Sequence, residues 1–209
     1  EVATMSYTDF KQYVTENKIS ISANGVLYRN DKAGLIPAIL SKWFDERVEY
    51  RKLAKKYGND GNTERYEYFD RRQLIQKIML NSLYGVLGLS VFRFYDIDNA
   101  EATTLTGQSL IKFSRTITNH FYNEQLGTDK DYVIYIDTDS IFASALPLVK
   151  HRYPNENVNS KPMMTKRILS IASELQEYLN NSYDYFAEKF CNIKEHKFEI
   201  KQEVIGISG

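Results

Sequence analysis

The spacing of apolar positions divides the chain into segments of different period. After Gly34, Pro37 sits where a first-turn proline belongs, and Ile36, Leu40, Phe44 and Val48 recur every four residues, which predicts a helix over 37–57. Gly58-Asn59-Asp60-Gly61-Asn62 concentrates helix breakers, and a second helical pattern follows over 63–84. Two such segments joined by a short turn predict a projecting antiparallel helical hairpin. A third helix is expected over 100–123, with Leu105, Leu110, Ile111, Ile117 and Phe121 on its apolar side, and a fourth over 163–190 with Ile168, Ile171, Leu175, Leu179, Phe186 and Phe190. The β signals are shorter. Ser22-Ala23-Asn24-Gly25-Val26-Leu27-Tyr28 sets an Asn-Gly turn between β-prone residues, and Tyr132–Ile136 and Ile141–Ala143 flank the acidic turn Asp137-Thr138-Asp139-Ser140. Phe198, Ile200, Val204 and Ile207 suggest one or two further strands, and the mixture predicts an α+β fold.

Composition changes this picture little. The 209 residues allow one domain, or one with an inserted subdomain. A hydrophobic share of 43% with 27 basic and 27 acidic residues argues against a disordered chain and against an evenly basic nucleic-acid coat. No apolar run approaches the ~20 residues of a membrane span. Cys191 stands alone and cannot form an internal disulfide, so a reducing, aqueous compartment is expected. The opening Glu1-Val2-Ala3-Thr4 has no signal-peptide pattern and reads as cut from something longer. The distribution of charge is more informative. Residues 42–77 carry ten basic and seven acidic groups, whereas residues 96–145 carry three basic and eight acidic. A basic segment followed by an acidic one suits a polyanion handled with bound cations, although uneven scatter gives the same pattern.

Candidate chemistry falls in those two segments. Asp137 and Asp139 are two apart, and on a strand such residues share a face at about 6.5–7 Å along the chain. Both carboxylates could then serve one site for hard divalent cations, while turn chemistry explains the same residues without a ligand. Lys77, Asn81 and Tyr84 fall at i, i+4 and i+7 on the second helix, and Arg47 and Arg51 at i and i+4 on the first. Together they offer concentrated positive charge to a triphosphate, or a solvated face with Glu46 and Glu49 as partners. Gly85 permits close backbone approach, or simply ends its helix. His120, His151 and His196 are too scattered for a zinc site, and Cys191 suits packing better than nucleophilic chemistry.

Taken together, Lys77-Ile78-Met79-Leu80-Asn81-Ser82-Leu83-Tyr84-Gly85 resembles the K-x-x-x-N-S-x-Y-G motif of family B DNA polymerases. Tyr135-Ile136-Asp137-Thr138-Asp139-Ser140 resembles their Y-x-D-T-D-S motif, in the expected order and separation. Phe92-Arg93-Phe94-Tyr95-Asp96, Asn99-Ala100, Thr106-Gly107-Gln108 and the stretch from Ser22 to Pro37 look most like the replicative polymerases of T-even-type bacteriophages.

The resemblance implies a palm, an antiparallel sheet backed by helices, over 1–36 and 85–209, with a two-helix fingers hairpin inserted at 37–84. Asp139 would be a direct ligand of two Mg²⁺ ions and Asp137 its partner. Lys77, Asn81, Arg47 and Arg51 would meet the phosphates of an incoming deoxynucleoside triphosphate. Tyr84 and Gly85 would lie against the nascent base pair, and Tyr135 and Thr138 against primer-template DNA. The family's D-x-x-S-L-Y-P motif, which supplies another essential Asp, does not occur before residue 37, and the thumb and exonuclease are not found. A second polypeptide or further segments would have to supply them, so these residues alone are expected not to extend primers. The place of action would be the cytoplasm, that of the host cell if the chain is phage-encoded. Ile136 replaces a Gly common in the motif, and a packing adjustment is expected there. Two other classes stay open: a non-catalytic nucleic-acid or nucleotide binding domain, and a two-metal nuclease drawing on Asp96, Asp98 and Glu101.

Overall fold

The computed structural model describes residues 4–206. Ten elements follow one another: α1 (Tyr7–Glu16), β1 (Ile19–Ile21), β2 (Leu27–Arg29), α2 (Leu35–Asn59), α3 (Thr63–Leu87), α4 (Ile97–Leu126), β3 (Val133–Asp137), β4 (Ser140–Ala143), α5 (Leu146–Arg152) and α6 (Lys161–Phe190). The result is a largely helical α and β mixture with two small sheets of two strands each, β1-β2 and β3-β4. The chain divides into two compact units, one made of the residues up to Leu27 and from Thr103 onward, the other of Tyr28–Ala102.

In the second unit, α2 and α3 are 25 residues each and form the expected antiparallel hairpin. The reversal is made by Asp60-Gly61-Asn62. Gly61 takes φ +71, where a side chain would be strained, and the Asn62 side chain accepts from the Arg65 N–H to cap α3. An aromatic cluster closes this end. Phe69 stacks on Tyr57 at 5.5 Å between ring centroids and lies against Tyr50 and Tyr68, while Arg65 donates to the Tyr57 hydroxyl at 2.8 Å. Further along, Gln76 donates to Glu46 across the two helices.

The first unit carries the larger core. Phe121 and Tyr122 from α4, Tyr132 ahead of β3, Leu148 and Val149 from α5 and Ile171 from α6 pack together, with Leu126, Ala143, Ile168 and Leu175 at the margin. Tyr122 stacks on Tyr132 with centroids 5.1 Å apart. Burial pushes the Tyr122 phenol pKa up to about 12. Beside this core the α4 and α6 helices are joined by a hydrogen bond between the Ser114 and Tyr183 hydroxyls, 2.8 Å. Arg152 of α5 grips the Glu174 carboxylate of α6 with two donors, at 2.9 and 2.7 Å, and also donates to Gln125 of α4.

That ion pair gives a pH dependence with a definite sign. The hydrogen bonds from Arg152 hold the Glu174 pKa below its ordinary value against an opposing effect of burial. A depressed folded-state pKa adds stability that is present above the ordinary carboxylate range and is lost as pH falls through the depressed value. Glu174 is half exposed, so the contribution is about 1 kcal/mol or less. Glu174→Gln should therefore lower the urea midpoint near pH 7, and the gap to wild type should close as pH falls below the ordinary carboxylate range.

Several expectations need correction. The C-terminal strands are not formed among the described residues, and Ile207 lies outside them. Phe198 and Ile200 are half-buried, but the Ile200 backbone bonds to a side chain of α6 and the Phe198 N–H donates to His196 Nδ1, not to a neighbouring strand. Asn180 donates to the Ile200 carbonyl at 3.1 Å and accepts its N–H at 2.9 Å, and Gln176 accepts from the Gln202 N–H at 2.8 Å. Apolar alternation reports one-sided burial, and here a helix face provides it. Helices α1 and α5 were not anticipated. The start of α1 was visible as Ser6-x-x-Asp9, whose Ser6 hydroxyl accepts from the Asp9 N–H at 3.2 Å. With seven residues, α5 is too short to show a period.

Candidate functional site

The acidic motif occupies the tip of the β3–β4 hairpin. Asp137 closes β3 opposite Ser140, Ile136 pairs with Ile141 and Tyr135 with Phe142. A bulge at Ile134 resets the alternation, so that the exposed Tyr135 and Phe142 lie together with centroids 5.9 Å apart. Ile136 is half-buried between the exposed Tyr135 and Asp137, as strand alternation requires. Alternation along the strand therefore directs it to the face opposite Asp137.

The strand argument for the two aspartates is corrected in one respect. Asp137 ends the strand, whereas Asp139 belongs to the two-residue turn, and Thr138 between them has φ +49. Both carboxylates are exposed. The Thr138 hydroxyl donates to Asp137 Oδ1 at 3.0 Å, and the Ser140 hydroxyl donates to the Asp137 carbonyl at 3.1 Å. Among the described residues no group of three or more His, Cys, Asp or Glu is gathered to hold a metal. Two neighbouring exposed carboxylates supply the hard oxygen donors that Mg²⁺ prefers, and this ion is commonly bound through one or two carboxylates with water and substrate phosphates filling the rest. The residues present thus fit such an ion in donor type and leave positions for other ligands.

The cationic residues are carried by the α2–α3 hairpin. Lys77, Asn81 and Tyr84 are exposed and follow one side of α3 over two turns. Gly85 is not the helix cap, because α3 continues to Leu87 and Gly88 caps it. A Cβ added at Gly85 would meet nothing within 4 Å. Gly inside a helix costs roughly 0.5–1 kcal/mol relative to Ala, and no steric need in this unit accounts for it.

Arg47 differs from Arg51. Arg51 is exposed, whereas Arg47 is half-buried and its Nε has no hydrogen-bond partner among the described residues. Burial first, and then the neighbouring Arg51 cation, draw the Arg47 pKa below the ordinary guanidinium value. Glu46 does not relieve this charge, since it bonds Gln76 and lies 4.0 Å from Lys42. A guanidinium held in this way gains from an anion more than a solvated one does. Of the acidic residues at the start of α4, Asp96 precedes the helix and accepts from the Asn99 N–H at 3.1 Å, so capping it, while Asp98 and Glu101 lie within the helix.

A protein of mixed helices and small antiparallel sheets that carries these two motifs matches the model of DNA polymerase family B over residues 4–152. The chain belongs to that family. It is 27% identical to the DNA-directed DNA polymerase of Escherichia phage RB69, over 78% of this chain and 25% of that protein. With that of Enterobacteria phage T4 it is 27% identical, over 79% of this chain and 25% of the relative. DNA polymerase 1 of Pyrococcus abyssi is 28% identical over 86% of this chain and 21% of the relative. Among solved structures, the family B DNA polymerase of Pyrobaculum calidifontis aligns with a TM-score of 0.47 at 30% identity, over 65% of this chain and 18% of that one. The chain spans about a quarter of the length of the phage relatives it matches. No helix among the described residues is long and apolar enough to cross a membrane.

Proposed function

We propose that this chain is the palm and fingers portion of a DNA-directed DNA polymerase, with the fingers at 37–84 and palm segments on either side. The observation that carries the reading is the presence of both motifs, Lys77 to Gly85 on an exposed side of α3 and Tyr135 to Ser140 on a hairpin tip, inside the segment that matches the family. In this reading the primer 3′-hydroxyl attacks the α-phosphorus of a deoxynucleoside triphosphate in line, a phosphodiester bond forms, and pyrophosphate leaves. Asp139 and Asp137 would hold the two Mg²⁺ ions, which would supply electrostatic stabilisation of the charge that develops in the reaction. Lys77, Asn81, Arg47 and Arg51 bind and orient the triphosphate by charge-assisted hydrogen bonds. Tyr84 and the bare backbone of Gly85 support the nascent base pair, and Tyr135 and Thr138 face the primer-template DNA.

A further carboxylate ligand is needed from a D-x-x-S-L-Y-P motif that these 209 residues do not contain, and the thumb and exonuclease likewise belong to other segments or to a second polypeptide. The work is done in the cytoplasm, in a host cell if the chain is of phage origin. One variant tests the nucleotide role. Lys77→Ala, in a complete polymerase containing this chain, should raise KM for the incoming nucleotide about 10- to 100-fold, the worth of a hydrogen bond to a charged group. Lys77 is exposed, so the thermal midpoint should hardly move. An unchanged KM would remove Lys77 from the triphosphate site.

A further inference from the structure

The turn that separates the two aspartates is built against the preferences of its own backbone. A two-residue hairpin turn whose first central residue has positive φ is ordinarily given Gly, Asn or Asp there. Position 138 holds Thr at φ +49, and a β-branched residue in that region is a genuine outlier. The turn does not need a hydroxyl at 138 to close, since Asp137 and Ser140 already pair across it and the Ser140 hydroxyl binds the Asp137 carbonyl. What the Thr138 hydroxyl does is donate to Asp137 Oδ1 at 3.0 Å, on a carboxylate that is otherwise exposed.

From this geometry we infer that Thr138 is a positioning residue: its hydroxyl, presented by the left-handed backbone, fixes the Asp137 carboxylate so that one oxygen is engaged and the other is offered beside Asp139 to a divalent cation. The inference rests on the reading of Asp137 and Asp139 as metal ligands and goes beyond it by saying what orients one of them. The strain is local and the hydroxyl is small. Three substitutions therefore separate the hydroxyl from the backbone. Thr138→Ser keeps the donor, Thr138→Val keeps the shape and the strain but not the donor, and Thr138→Gly removes both strain and donor.

The experiment measures Mn²⁺ binding to the purified chain by water-proton relaxation, together with thermal unfolding in metal-free buffer. Thr138→Ser should bind Mn²⁺ as wild type does. Thr138→Val and Thr138→Gly should bind about five- to tenfold more weakly, the loss expected for one hydrogen bond that orients a ligand. Without metal, Thr138→Gly should unfold about 2–4 °C higher than wild type, because the strained residue is gone. A more stable Thr138→Gly that binds metal more weakly is an outcome a merely structural role does not give. Thr138→Gly or Thr138→Val binding Mn²⁺ as tightly as wild type would overturn the inference and leave the metal-ligand reading standing. Asp139→Asn is the control for that reading: if it binds Mn²⁺ as wild type does, the ligand assignment falls and the positioning role falls with it.

Discussion

Asp139→Asn is expected to slow Mg²⁺-dependent nucleotide incorporation by about a thousandfold or more while leaving the fold intact. The side chain is exposed, in a turn, and its replacement keeps the size and one oxygen donor. In the proposed reaction, what is lost is a full negative charge at the position proposed to hold cations against the growing charge of the transition state. Metal stabilisation there is worth several kcal/mol, and each 1.36 kcal/mol is about tenfold in rate. The measurement is single-turnover incorporation by a complete polymerase that contains this chain, with thermal unfolding of the same variant as the control. A variant within tenfold of wild type would show that Asp139 is not a metal ligand in the reaction.

The second large effect is on stability. Phe186 is 2% exposed on α6 and packs against Phe113 at 5.3 Å, Phe190 at 5.1 Å and Phe198 at 6.0 Å between ring centroids. It links α4, the end of α6 and the extended segment after it. Phe186→Ala would leave a cavity among rings that cannot all collapse into it, at a cost of about 3–5 kcal/mol. That is a large fraction of the 5–15 kcal/mol typical of a domain, so the variant should unfold well below wild type or be largely unfolded at 37 °C. Phe186→Leu, which retains most of the volume, should recover much of the loss. A Phe186→Ala midpoint within about 1 kcal/mol of wild type in urea would mean that the aromatic cluster does not bear on folding.

These two residues also show which features the sequence made legible. Phe186 and Ile171 stand at helical spacing in a long apolar pattern, so α6 and its buried side were readable, as were α2, α3 and α4 to within about three residues. The hairpin that carries Asp139 was readable because its neighbours are β-prone on both sides. Three other features were not. The φ of Thr138 follows from a turn of two residues, a count that depends on where β3 stops pairing. The half-burial of Arg47 depends on what packs over α2, and residue spacing along α2 gives no sign of it. The segment around Ile200 reads as a strand because one side is apolar, and only the position of Asn180 on α6 reveals that a helix supplies its hydrogen-bond partners.

In the proposed function this chain supplies the Asp137–Asp139 half of a two-metal polymerase site. The most direct measurement is templated addition of a single deoxynucleotide to a primer, made with the purified chain alone and with the chain combined with a polypeptide carrying the D-x-x-S-L-Y-P motif. The expected result is no addition by the chain alone, Mg²⁺-dependent addition by the pair, and its loss when Asp139 is replaced by Asn. Addition by the chain alone, or a stably associated pair that adds no nucleotide, would contradict it.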